Sequence, residues 1–180
     1  MEVLIKNIDR SSFSDLFYPC KGCLYWEHPA LFGKITAEEA AKLKLDWFES
    51  AAESFGPCGI ILYSGGEPVA YCQFGPPGYF ENIREYESRI SPTSEEAVLI
   101  TCLYVRPGYR GKGNGRKLLQ YLIRECKNRG IKAIETYARD DSDDNPSGPT
   151  RLYLPMGFKT IKSKKWGDLS LSLLRLDLNR

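Results

Sequence analysis

Little in this sequence is charged to excess. Lysine and arginine number 25 against 23 aspartates and glutamates, a formal net charge of +2. That imbalance is too small for bulk attraction to nucleic acid or to a membrane surface. Long apolar runs are missing as well: none approaches the ~18 residues a membrane helix needs. The start, Met1 to Lys6, lacks the charged-then-apolar pattern of a secretion signal. Nucleic-acid and membrane partners are therefore not expected, and the default location is the cytoplasm. No internal repeat and no compositional break divides the chain. Its 180 residues suit one domain with a sizeable core.

Without a secretion signal, the six cysteines (Cys20, Cys23, Cys58, Cys72, Cys102 and Cys126) are expected as free thiols. Cys20-x-x-Cys23 with His28 offers three zinc ligands, but the usual second Cys-x-x-Cys is absent. No metal is expected. A redox pair is an alternative, and packing of the aromatic segment Leu24-Tyr25-Trp26 is preferred.

What is present reads as alternating strands and helices. Val3 to Ile8 forms a first strand. Thr36-Ala37-Glu38-Glu39 is a capping box, after which Ala40, Leu43, Trp47, Phe48, Ala51 and Phe55 recur at helical spacing. Gly59 to Tyr63 and Pro68 to Phe74 are strands around a Gly65-Gly66 hairpin turn. Tyr79 to Glu95 fits no element and is expected to wall a binding site. Glu96 to Val105 is apolar on both faces, as a central strand is. Leu118, Leu119, Leu122, Ile123 and Cys126 mark an amphipathic helix closed by Gly130, and Ile131 to Ala138 is the next strand. Strand, loop, helix and strand make a βαβ unit. Thr150 to Met156 is a short helix despite Pro155, and Phe158 to Lys162 and Leu169 to Leu178 are closing strands. In the last, the leucines change phase, so it carries a bulge near Leu173 or is buried on both faces.

The segment Val105-Arg106-Pro107-Gly108-Tyr109-Arg110-Gly111-Lys112-Gly113-Asn114-Gly115-Arg116 carries the chemistry. A buried strand runs into it and a helix runs out. Its glycines let the backbone turn sharply and present N–H groups. The first N–H groups of a helix lack internal partners, and the helix dipole adds positive charge there. Arg110, Lys112 and Arg116 add full charges. The combination suits a polyphosphate. A Walker loop would need lysine where Asn114 stands. A dinucleotide fingerprint counted from Gly111 would need glycine at Arg116, though Glu135 sits at a distance suited to a ribose carboxylate.

This pattern resembles the GNAT superfamily of acyl-CoA N-acyltransferases. Their pyrophosphate signature, Arg/Gln-x-x-Gly-x-Gly/Ala, is matched by Arg110-Gly111-Lys112-Gly113-Asn114-Gly115. The lead-in Val-x-Pro-x-x-Arg is matched by Val105 to Arg110, and a second signature, Tyr-x-x-x-Gly-Phe, by Tyr153 to Phe158. The resemblance is specific from about Glu96 to Lys162 and only compatible in layout from Val3 to Phe74. It implies an α/β fold (α+β mixed): one mixed, mostly antiparallel sheet with splayed fourth and fifth strands, flanked by helices. It implies one domain over 1–180, with a variable N-terminal region over 1–95, an acyl-CoA-binding core 96–162 and closing strands within 158–178. By resemblance, the backbone of Leu103, Tyr104 and Val105 bonds the pantetheine of acetyl-CoA, and the N–H groups of Gly111 to Gly115 hold its pyrophosphate. Family members often carry an asparagine shortly before the tyrosine. Pro146 stands at that position, and Asn145, one place off, is its counterpart at the cofactor.

The family's reaction is direct attack of a primary amine on the thioester. An alkylamine has a pKa of about 10.4, so making it neutral at pH 7 costs about 4.6 kcal/mol. A base must take that proton, and the leaving thiolate needs one back. The resemblance gives the second role to Tyr153 and the first to Glu135, with Glu96 as fallback. Asp140, Asp141, Asp143 and Asp144 could draw a cationic acceptor such as a polyamine. The competing reading is a non-catalytic acyl-CoA sensor; a homodimer is left open.

Overall fold

The computed structural model describes residues 2–178. Seven strands form one sheet: β1 (Val3–Asn7), β2 (Gly59–Ser64), β3 (Glu67–Gly75), β4 (Ala97–Val105), β5 (Ala133–Arg139), β6 (Lys159–Trp166) and β7 (Leu169–Asp177). Their spatial order is β1-β2-β3-β4-β5-β7-β6. Every neighbouring pair is antiparallel except β4 with β5, which is parallel. This is the mixed, mostly antiparallel architecture expected. Among the described residues, no helix is long and apolar enough to cross a membrane.

Among the described residues, four α-helices accompany the sheet: α1 (Ala37–Ser54), α2 (Ile83–Arg89), α3 (Asn114–Asn128) and the single turn α4 (Thr150–Tyr153). The capping box starts α1: Thr36 Oγ1 accepts from Glu39 N at 3.2 Å, and Glu39 Oε2 accepts from Thr36 N at 2.9 Å. The segment 79–95, unassigned from sequence, holds α2. Ile83 and Tyr86 are its buried side, and Arg89 pairs with Glu85 one turn back. Seven residues are too few to show a periodicity.

Side chains alternate across the sheet. Tyr71, Leu99, Cys102 and Tyr137 face one core with Phe48 and Ala51 of α1; Cys72, Val98, Leu103 and Ile134 face the other with Leu118, Leu119 and Leu122 of α3. Each of those buried α3 leucines stabilises the layer by about 1.5–3 kcal/mol. One open alternative resolves and one assignment shifts. β7 is buried on both faces from Leu171 to Leu174, while the register irregularity lies on β6, between Thr160 and Lys162. β6 also runs on to Trp166, because an exposed edge strand has no apolar alternation to mark it.

Candidate active site

β4 and β5 pair only from Ala97–Ala133 to Ile100–Thr136. Beyond that the two strands separate. β4 then enters the glycine turn, where Gly108, Gly111 and Gly113 take φ of 84°, 73° and 78°. A side chain is strained in that left-handed region. Gly113 caps α3 and supplies no side-chain acceptor, so the first N–H groups of the helix stay available. Arg110 Nε donates to Val105 O at 2.9 Å, Lys112 Nζ to Gly108 O at 2.7 Å, and Asn114 Nδ2 to Tyr109 O at 2.9 Å. Three of the expected binding side chains therefore also shape the turn.

A cavity of about 1020 Å³ starts here. Arg110, Gly111, Gly113, Asn114, Gly115 and Arg116 line one end. Lys112 does not line it. Its wall then follows Val105, Tyr104, Leu103 and Cys102 along β4, and Lys44 and Tyr71 lie at the inner end. At ~3.3 Å per residue, Cys102 and Val105 stand roughly 10 Å apart.

The gap between β4 and β5 is bridged by the chain from Asn145 to Pro149. Leu103 N donates to Pro146 O at 2.8 Å, and Arg139 N donates to Gly148 O at 3.2 Å. Ser147 Oγ donates to Tyr137 O, and Asn145 Nδ2 reaches Tyr137 O at 3.3 Å and Gly148 O at 3.2 Å. The backbone groups expected to meet pantetheine therefore have partners within the chain. The Leu103 amide is taken by Pro146 and the Val105 carbonyl by Arg110. Arg106 N bonds Val69 O on β3, so Tyr104, two residues earlier, turns its own backbone groups to β3 as well.

Both expected catalytic side chains sit off the cavity. Tyr153 is fully buried against Phe158, with ring centroids 5.1 Å apart. Its hydroxyl donates to Ser147 O. Burial holds that hydroxyl far above the ordinary tyrosine range, so it stays protonated. Gly148 and Leu152 beside it do line the cavity. Glu135 is buried at the paired end of β5. Its carboxylate accepts from Arg175 Nη1 at 2.9 Å and from Ser94 N at 2.9 Å. That geometry does not suit a base at the cavity. The fallback Glu96 is exposed and bonded to Lys132, which lowers its pKa.

Sequence reasoning missed the polar cluster at the inner end. Lys44 Nζ donates to Glu27 Oε1 at 2.5 Å, Gln73 Oε1 at 3.0 Å and Cys23 O at 2.9 Å. Tyr71 Oη donates to Gln73 Oε1 at 2.9 Å, and Gln73 Nε2 donates to Glu27 Oε1. All these side chains are buried. Burial is the largest influence and opposes the charge on Lys44, but the Glu27 carboxylate and the neighbouring Cys102 and Cys23 together outweigh it, so its pKa is raised. The signal was present: Lys44 stands between Ala40 and Phe48 on the apolar stripe of α1, and Gln73 inside an apolar strand. The cysteines beside this cluster are free, and burial pushes the Cys20 thiol up to about 12. His28 turns instead to Glu81 at 3.4 Å. Among the described residues, no three histidine, cysteine, aspartate or glutamate side chains gather as a metal site.

The sequence profile of the acetyltransferase (GNAT) family matches residues 21–158. The chain belongs to this family. It is thereby an acyltransferase. An L-methionine sulfoximine/L-methionine sulfone acetyltransferase from Salmonella typhimurium is 30% identical over 142 residues, covering 74% of this chain and 73% of that protein. The L-amino acid N-acyltransferase MnaT of Escherichia coli is 29% identical over the same shares. Among solved structures, yncA from Salmonella typhimurium with its cofactor acetyl-CoA superposes at a TM-score of 0.65 and 21% identity, over 100% of this chain and 96% of that one. PaiA N-acetyltransferase from Thermoplasma acidophilum, in complex with coenzyme A, gives 0.60 and 14%, over 98% and 99%. These two share the GNAT fold.

Proposed function

We propose that this acyltransferase moves an acetyl group from acetyl-CoA to a primary amine, by direct attack within a ternary complex. One observation carries the reading: a single cavity joins the N-terminal turn of α3 to the inner polar cluster along the part of β4 beyond its pairing with β5. The turn suits the pyrophosphate. The backbone N–H groups of Gly111 to Gly115 would bind it, with Arg110 and Arg116 beside them. A Cβ at Gly111 or Gly113 would meet nothing within 4 Å, so the cradle is open. The pantetheine arm would then lie along β4 and take the Leu103 amide from Pro146. The names of the curated relatives, which acylate amino-acid derivatives, agree with an amine acceptor. An acyl-CoA-binding core at 96–162, within one domain over 1–180, belongs to the same proposal.

The chemistry needs a proton removed from the ammonium and one delivered to the thiolate. Tyr153 is the donor in this reading, its hydroxyl freed from Ser147 when the 145–149 segment moves. Glu135 is not proposed as the base. Glu27 is the carboxylate that reaches the inner end, through Lys44. The test is acetyl-CoA calorimetry followed by an amine panel, with CoA and N-acetyl products followed by mass spectrometry. Heat of association with product formation supports the proposal. No association, or association without transfer to any amine, overturns it.

A further inference from the structure

The acceptor end of the cavity is unlike the phosphate end. Its walls are Tyr18, Leu24, Leu31, Phe32, Ile35 and Cys102. Tyr18 and Phe32 are 55% and 48% exposed, which places apolar rings at the mouth. Lys44 is the charged side chain among the lining residues there, and it has nothing to offer a ligand. An ammonium has three donors. Those of Lys44 go to Glu27, Gln73 and Cys23 O. β3 presents neutral Tyr71 to this end, its hydroxyl donating to the buried Gln73 behind it. The aspartates that reach the cavity, Asp143 and Asp144, sit in the segment that also carries Asn145. Asp143 is bonded to Arg151, with Arg110 near enough to lower its pKa further. The acidic loop therefore serves the phosphate end, contrary to the sequence expectation of a polyamine trap.

Resting on the transfer reaction proposed above, we propose that the acceptor is a monoamine on an uncharged apolar body, such as an arylalkylamine or branched alkylamine. The ammonium is its single charge and is neutralised for attack. Its body packs against Phe32, Leu31 and Tyr18. A free α-carboxylate would enter this end without a free cation to pair it, and a second ammonium would find the buried Glu27 carboxylate already paired with Lys44. Each such buried charge is costly. The class differs from the amino acids named for the curated relatives.

The experiment compares kcat/KM for 2-phenylethylamine, isoamylamine, spermidine and L-methionine, at saturating acetyl-CoA. The two apolar monoamines should exceed the other two by about 10-fold or more. The exposed ring of Phe32 can be replaced without touching the core. Phe32→Asp should lower the 2-phenylethylamine value and raise that of spermidine by several fold. Equal or better turnover of L-methionine or spermidine by the native chain overturns this class and leaves the transfer reading intact. Binding of acetyl-CoA with no turnover of any amine overturns both.

Discussion

The carbonyl of Pro146 accepts the amide hydrogen of Leu103 at 2.8 Å, in the gap where β4 and β5 diverge. If acetyl-CoA lies along β4, it competes with the chain's own backbone for that donor. Affinity is then reduced by the fraction of molecules with the segment 145–149 docked.

Ser147→Ala tests this competition. The Ser147 hydroxyl fixes the segment to Tyr137 O. A single hydrogen bond is worth about 0.5–1.5 kcal/mol net. Its loss should tighten acetyl-CoA binding by about 2- to 12-fold in calorimetry. In the native chain, hydrogen exchange at Leu103 and across 140–149 should change on adding CoA. Unchanged affinity and unchanged exchange would mean that the segment is no competitor.

Lys44→Met should destabilise the fold by about 3–5 kcal/mol, because it leaves the Glu27 carboxylate buried without a counter-charge. Adding Glu27→Gln should recover much of that loss in urea denaturation. The pH dependence has a definite sign. The folded-state pKa of Lys44 lies above its ordinary 10.5. Its contribution is full below that value and is lost as pH rises through the folded pKa. The native chain should therefore lose stability more steeply than Lys44→Met once pH exceeds about 10.5. Parallel curves would show that the pair contributes no pH-linked stability.

The sheet and the glycine turn were legible because their signals are local: a doubly apolar β4, a capping box at Thr36, paired glycines at 65 and 66, and Arg110 to Gly115. Of the candidate site, the glycine-turn end was legible and the inner end was not. Glu135 drew attention as a charge in a buried strand, and the burial is real. Its partners Arg175 and Ser94 come from distant stretches of the chain, which spacing cannot show. Lys44, Glu27 and Gln73 escaped for the same reason. Each is one polar residue in an apolar pattern, and only the fold brings them within bonding distance.

Gly113→Ala isolates the turn. The residue sits at φ 78° and caps α3. A Cβ there meets nothing within 4 Å, so the cost is backbone strain of about 1–2 kcal/mol. Relief of that strain would turn the first N–H groups of α3 away from their common focus. Binding of CoA should weaken by about 5-fold or more, that is, by about 1 kcal/mol or more. S-acetylpantetheine, which has no diphosphate, should bind as before. Equal losses for both ligands would place the pyrophosphate elsewhere.

Tyr153→Phe separates structure from chemistry at the α4 turn. The native hydroxyl is buried and protonated, and it donates to Ser147 O. If that bond only holds the segment 145–149, its loss should loosen the segment, tighten acetyl-CoA binding slightly and leave turnover alone. If the hydroxyl protonates the departing thiolate, kcat should fall by about 100-fold or more while acetyl-CoA affinity holds or rises. A second readout tells these apart. The acetyl thioester of an aromatic thiol leaves as a weakly basic thiolate that needs no proton. Turnover of that donor should be nearly equal in the native chain and the Tyr153→Phe variant, whereas acetyl-CoA turnover should differ. A uniform loss with both donors would reduce Tyr153 to a packing residue beside Phe158, and an unchanged kcat with acetyl-CoA would remove it from the reaction.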